Sequence, residues 1–375
     1  MLLENRRSRA LLLAFFLALF FISASLGIAE KEIPIPVIQV KGSHYEVGHQ
    51  IGAQLKDYIL RDVAEMKKRP DWQKVRAEAE LFLAYSKKYL PEYVDEVKGS
   101  ADAVGLEIGD VFPRLCEEIG DENYRFTGGC TDLIASNDVT ADGSVLAAHN
   151  NDTSRSTQDS VIIVHYQVEG EPEIVAVGYG GLAISIGYNS AGLSLTGNQV
   201  DSNDMRVGVP RLLLVRKILA ARTIGEAIDA ALLKERASNY NQVITDASGE
   251  IYSIEGSATD YAPLYSTDGY LVHTNHYVAS WMRRFEFDPN GITDSIVRYN
   301  RGTRLLKKNQ GRITVDKMKE FLADHVNFPD SICRHSQGVK TTFSVIINLN
   351  TLTMLLAKGN PCEAKYNEYK LISKQ

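Results

Sequence analysis

Cys130 stands directly after Gly128-Gly129 and before Thr131-Asp132. A thiol attacks carbon only as the thiolate, a minor species for an ordinary cysteine at neutral pH, so a catalytic cysteine needs a base within reach. The glycine pair permits strained backbone and leaves the preceding carbonyl open to attack. Taken alone, the pair is equally a flexible loop, and a single cysteine is more often a small buried core residue. Asp152 lies 22 residues further on. Between them, Asp142-Gly143 is a hairpin-type turn signal, and a hairpin turning there brings Ala148 to Asp152 back alongside the strand that begins at Cys130.

The other three cysteines have different surroundings. Cys116, at a helical position in Arg114-Leu115-Cys116-Glu117, reads as core, whereas Cys333 and Cys362 lie in loop-like contexts and can pair with one another or stay free. His273 and His276, three apart on a strand, face opposite sides and make poor co-ligands for one metal. There is no His-Glu-x-x-His helix, no Cys-x-x-Cys pair, no phosphate loop and no papain-type cysteine signature, and Gly178-Tyr179-Gly180-Gly181 lacks the spacing and following helix of a dinucleotide site. No metal and no cofactor is expected.

The elements that must position these residues change in texture near residue 129. After a strand at 36–40, residues 43–119 carry helical spacing, as in Val47, Ile51, Leu55 and Ile59, with helix stops expected at Gly105 and Gly120. From Cys130 onward short β-rich runs come in pairs: 132–136 with 145–148, 161–168 with 174–179, and 183–188 with 193–197. Helices are expected at 210–221 and 224–233, strands at 242–245, 251–255 and 270–274, helices at 294–308 and 315–326, and a last hairpin at 342–347 and 353–357. Strand pairs interleaved with helix pairs imply an α+β protein with largely antiparallel sheets.

Residues 1–29 are set apart from the fold. Arg6, Arg7 and Arg9 precede an apolar run from Ala10 to Ile22 that ends in small residues, Gly27 and Ala29; this is the order of a secretory signal peptide cut before Glu30, with an N-terminal membrane anchor as the alternative. Residues 30–375 are expected as a single domain, exported in either case. The whole chain holds 41 Lys+Arg against 47 Asp+Glu, a net charge of −6, which argues against a protein built to grip nucleic acid. A small-molecule partner is the expectation, with membrane contact only if the first segment is retained.

Gly129-Cys130-Thr131-Asp132, Thr140-Ala141-Asp142-Gly143-Ser144 and Ala148-His149-Asn150-Asn151-Asp152 together resemble the nucleophile region of the acyl-coenzyme A:6-aminopenicillanate acyltransferase family of N-terminal-nucleophile hydrolases. Gly42 to Gly48 with Gly52, Thr274-Asn275-His276, and Ser331 to His335 with Gly359 to Cys362 resemble three further family motifs in the same order. The resemblance implies a four-layer αββα sandwich and a precursor that cuts itself between Gly129 and Cys130, leaving an α chain of residues 30–129 and a β chain of residues 130–375. Cys130 then carries both the thiol and, as its base, a new α-amine whose ordinary pKa of about 7.7 to 8 suits proton transfer at neutral pH.

By the same resemblance Asp152 orients that amine and Asn275 donates to the tetrahedral oxyanion; Asn150 and Asn198 are supporting candidates, and Arg334 holds a substrate or inter-element carboxylate. Family members often place an aromatic residue just before the aspartate, where this chain has Asn151, so a more polar or differently shaped acyl pocket is expected. The implied reaction is cleavage of an amide bond in an N-acylated amino compound or small peptide through a cysteine thioester, with acyl transfer as a companion activity. A dipeptidase of the same superfamily and a catalytically silent binding protein on the same fold are the alternatives.

Overall fold

A computed structural model describes residues 34–119, 128–180, 182–336 and 338–374. The leader expected at 1–29 and the helix stop expected at Gly120 lie outside them.

Two sheets form the centre. The larger runs β1-β4-β5-β6-β7-β8-β9-β10, from β1 (Val37–Gly42), β4 (Val161–Val168), β5 (Ile174–Tyr179), β6 (Ala183–Asn189), β7 (Leu193–Asn198), β8 (Tyr240–Asp246), β9 (Ile251–Gly256) and β10 (Tyr261–Tyr265). Only β1 and β4 pair in parallel within it. The smaller runs β11-β2-β3-β12-β13-β14, from β2 (Gly129–Ala135), β3 (Leu146–Thr153), β11 (Tyr270–His273), β12 (Lys340–Asn348), β13 (Thr353–Lys358) and β14 (Tyr366–Lys370), and is antiparallel throughout.

The sheets meet through a dry layer in which Ile134, Ala147, Val345 and Leu356 of one face Ile163, Val177, Ile186 and Val243 of the other. Against the outer face of the larger sheet pack α1 (His44–Gln54), α6 (Arg211–Leu219) and α7 (Ile224–Ala231). A helical cluster of α2 (Lys56–Lys67), α3 (Trp72–Tyr89), α4 (Pro91–Val104) and the short α5 (Ile108–Val111) adjoins them. Against the outer face of the smaller sheet pack α8 (Thr293–Lys308) and α9 (Val315–Leu322). The architecture is therefore the expected α+β sandwich in the order αββα.

Local chemistry explains the opening segment. Ser43 caps α1 in a reciprocal box with Glu46, and Gly48 lets α1 lie directly on α4, since a Cβ there would fall 1.9 Å from the Glu96 carbonyl oxygen. Two strands escape the sequence pattern. β10 contains Pro263, which a strand tolerates only at a sheet edge, and β14 is a polar edge strand. Helix α9 stops at Leu322, four residues before the expected Val326, and the freed Leu322 carbonyl accepts from Asn150 Nδ2 at 2.8 Å. Asp142-Gly143 does turn the chain, with Gly143 at φ 73°, inside a connection spanning 136–145.

Candidate active site

The register of β2 on β3 brings the candidates together. Gly129 lies opposite Asp152, Cys130 opposite Asn151, and Asp132 opposite His149. Because side chains alternate across a strand, Cys130, Asp132, His149 and Asn151 share the face between the sheets. Thr131, Asn150 and Asp152 share the face turned to α8 and α9.

Cys130 is buried, 5% exposed, and borders a cavity of about 290 Å³ also lined by Asn151, Tyr179, Asn198, Arg211 and Tyr240. Its backbone nitrogen donates to Asn275 Oδ1 at 2.8 Å. Its carbonyl oxygen accepts from Arg298 Nη1 at 2.5 Å, while Arg298 Nη2 donates to Asn275 Oδ1 at 2.9 Å and to Asp294 Oδ2 at 3.2 Å. The backbone at the nucleophile is thus gripped on both polar atoms by side chains from distant segments. Asn151 points its Nδ2 at Cys130 Sγ, 3.8 Å away, and accepts from the Tyr179 hydroxyl at 2.5 Å. The residue that replaces the family's usual aromatic therefore makes a polar cavity wall.

Asp152 is fully buried. Thr341 Oγ1 donates to its Oδ1 at 2.7 Å, and its Oδ2 has no hydrogen-bond partner among the described residues. Burial raises the carboxyl pKa, against the opposing pull of Arg298 and Arg334. Gly129 sits in the gap between these groups: a Cβ there would lie 2.9 Å from Arg334 Nη1, 3.3 Å from Arg298 Nη2 and 3.4 Å from Asp152 Oδ2. Glycine at 129 is thus a matter of close approach. The preceding residue, Gly128, lines a second hollow of about 330 Å³ with Asn275, Arg298 and Arg334.

The remaining candidates divide. Arg334 holds an inter-element carboxylate, donating to Asp294 Oδ2 at 2.7 Å. Asn198 lines the cavity; its Oδ1 accepts from Asn241 Nδ2 at 3.2 Å and lies 3.0 Å from His273 Nδ1, while its buried Nδ2 has no partner among the described residues. Asn275 meets the cysteine through its carbonyl oxygen, and its Nδ2 donates to Gln199 O at 3.0 Å. Asn150 does not line the cavity: strand alternation turns it to the helical side, where it ties Leu322 O and Ile332 O.

Two contributors escaped the reading of the sequence, and each left a trace there. Arg298 is 1% exposed, and helical spacing places it in one stripe with the buried Ser295, Gly302 and Leu306; an arginine in such a stripe signals a buried partner. His149 alternates with Val145 and Ala147 toward the dry layer, and its Nδ1 lies 2.8 Å from Asp132 Oδ1. Burial lowers the imidazole pKa, but the charge and hydrogen bond of Asp132, followed by the effect of Cys130, outweigh it and raise the value to about 10. The Asp132 carboxylate therefore favours the protonated imidazole on the buried side of the nucleophile's face.

The sign of the linkage follows from a folded-state pKa above the unfolded one: stability from protonated His149 is complete below about 6.5 and is lost as pH rises toward 10. In urea unfolding, the stability gap between the native protein and His149→Gln is expected to shrink steadily from pH 6.5 to pH 10. A gap constant over that window would remove the imidazolium assignment.

Comparison with known proteins gives this geometry its family. A model of acyl-coenzyme A:6-aminopenicillanic acid acyl-transferase matches residues 139–363, more than half of the chain. The chain belongs to this acyl-transferase family. With membership comes the enzyme class, amide hydrolases and acyltransferases of the N-terminal-nucleophile type. The acyl-transferase chain is 25% identical over 321 residues to the 40 kDa form of acyl-coenzyme A:6-aminopenicillanic-acid-acyltransferase of Emericella nidulans, covering 83% of this chain and 88% of that protein. It is 23% identical over 257 residues to the beta-alanyl-dopamine/carcinine hydrolase of Drosophila melanogaster, covering 59% and 64%. Among solved structures it overlaps a variant of the conjugated bile acid hydrolase of Clostridium perfringens at a TM-score of 0.43, with 15% identity and 64% and 97% coverage. Penicillin V acylase from Agrobacterium tumefaciens gives 0.41, 11%, and 61% and 83%.

Proposed function

We propose that this acyl-transferase family member is an exported, self-processing amidohydrolase with Cys130 as nucleophile. The observation that carries the proposal is the surroundings of the Gly129–Cys130 bond. Asn275 and Arg298 hold the cysteine backbone, and Gly129 occupies the gap beside the unpartnered oxygen of Asp152.

In the precursor, Cys130 Sγ attacks the Gly129 carbonyl carbon, the C–N bond breaks with the proton going to nitrogen, and the Gly129 acyl group moves to sulfur. Water cleaves that thioester, giving a Gly129 carboxylate and a cysteine with free thiol and free α-amine. Departure of Gly129 frees the α-amine beside Asp152 Oδ2; the neutral amine donates a hydrogen bond to that carboxylate and becomes its cationic partner when it takes the thiol proton.

In the mature enzyme the α-amine takes the thiol proton, Sγ attacks the substrate amide carbon, and the leaving amine carries the proton away. Water then releases the acyl group. Asn198 lines the cavity and has an Nδ2 with no hydrogen-bond partner among the described residues; it is assigned to the oxyanion, while Asn275 holds the cysteine nitrogen. The substrate is an N-acylated amino compound or small peptide: the two relatives are named for an acyl transfer onto 6-aminopenicillanic acid and for hydrolysis of beta-alanyl-dopamine and carcinine, all small amino compounds.

Intact-mass analysis of the purified protein tests the reading. Two chains are expected, the smaller ending at Gly129; a wild-type chain that stays uncut while active would overturn it. Turnover of long-chain N-acyl amino acids over dipeptides separates this enzyme from a dipeptidase. N-terminal sequencing of the exported protein is expected to begin at Glu30, and retention of Arg6 to Ala29 would make the segment an anchor.

A further inference from the structure

Beyond the nucleophile, the loops at the end of the smaller sheet gather four metal-binding side chains. His325 follows α9, Cys333 and His335 lie on the approach to β12, and Cys362 lies in the turn after β13. We propose that these four residues form a structural zinc site. Their ligand atoms all lie within 4.8 Å of one another. His325 Nε2 is 3.0 Å from His335 Nε2, Cys333 Sγ is 3.7 Å from Cys362 Sγ, and His335 Nε2 is 3.4 Å from Cys333 Sγ and 3.3 Å from Cys362 Sγ.

These separations are four of the six edges of a small tetrahedron. With zinc–sulfur bonds of about 2.3 Å and zinc–nitrogen bonds of about 2.0 to 2.1 Å, tetrahedral geometry requires edges of roughly 3.8 Å between sulfurs, 3.5 Å between sulfur and nitrogen and 3.3 Å between nitrogens. The four edges given follow that order and fall within about 0.3 Å of those values, and the other two, from His325 to the sulfurs, stay within 4.8 Å. Hydrogen bonding does not account for the arrangement. An imidazole nitrogen has one in-plane site, yet His335 Nε2 has three heavy atoms within 3.4 Å. One cation at the centre satisfies all four atoms together.

Two thiolates and two neutral imidazoles neutralise a divalent ion and select zinc among common metals. Outer contacts fit the same role: Asn360 Nδ2 donates to Cys333 Sγ at 3.6 Å, and Glu363 Oε1 stands 4.0 Å from His335 Nδ1. Four protein ligands leave no open position, so the ion fastens chain and does no chemistry. What it fastens is Arg334, held between two ligands and bonded to Asp294 beside Gly129. The ligands come from three loops, which is why no spacing motif flags them and why no metal was expected. The site does not depend on the proposed reaction.

The test uses the full exported protein, purified without chelators. Elemental analysis is expected to find about one zinc per chain, and exchange into cobalt(II) is expected to produce the visible bands of tetrahedral cobalt with thiolate charge transfer, bleached by added zinc. Cys333→Ser with Cys362→Ser is expected to lose both signals. Should that double variant fail to fold, the wild-type cobalt spectrum decides by itself. A metal-free wild-type protein that gives no cobalt bands on titration overturns the site. So does a Cys333–Cys362 disulfide in the isolated protein, seen as a mass short by two hydrogens with only two alkylatable thiols.

Discussion

Cys130→Ala is expected to be a single uncut chain with turnover at background. Removing the nucleophile from a set of groups that act as a unit costs on the order of 10⁶ in rate, and here the loss is doubled in kind. Without the thiol there is no cut, and without the cut there is no α-amine at residue 130 to serve as base. Folding is expected to survive, because the sulfur borders the cavity and its contact with Asn151 is a weak one at 3.8 Å. Mass spectrometry of the intact chain and an assay on N-acyl amino acids provide the measurement. A cut chain, or turnover at the wild-type rate, would place the nucleophile elsewhere.

The second large effect falls on stability. Arg298 is 1% exposed and supplies donors to Cys130 O, Thr131 Oγ1, Asn275 Oδ1 and Asp294, and its charge opposes the burial of Asp152. Arg298→Met keeps much of the volume and removes the cation. It removes a charge that offsets the burial of Asp152 and leaves the buried Cys130 O and Thr131 Oγ1 short of a donor, each orphaned group costing about 1–3 kcal/mol. The comparison is best made in the Cys130→Ala background, where every protein is one chain. The urea midpoint is expected to fall with an unchanged slope, which assigns the loss to the native state and not to a change in compactness. Arg298→Lys, with charge but without the planar fork, is expected to lie between. A loss below about 1 kcal/mol would mean that Arg298 behaves as a surface pair with Asp294.

Legibility in the sequence tracked locality. The return of Asp152 alongside the start of the Cys130 strand was readable from the turn signal at Asp142-Gly143 and strand periodicity, while the register that sets Gly129 on Asp152 depends on the longer 136–145 connection. The same periodicity should have excluded Asn150 from the cavity, since neighbours on a strand face opposite ways; the motif drew attention to the whole run and not to its alternate members. Arg298 and Asn275 reach Cys130 across 168 and 145 residues, and no local pattern encodes such a span. β14 and β10 went unread because edge strands need no apolar face to hold them.

By itself the sequence determined the kinds of chemistry available and the local frame: a cysteine after two glycines, an aspartate returned to it by a hairpin, alternating runs for two sheets and amphipathic runs for the helices that cover them. These follow from steric preference and periodicity, which act over a few residues. Only the tertiary structure decided which polar groups go under cover together. It set Arg298 and Asp152 around Gly129, His149 on Asp132 beside the thiol, and two histidines and two cysteines from three loops on one point. The physical reason is that burial makes partners obligatory, and the partners are chosen by where layers meet in space, not by distance along the chain.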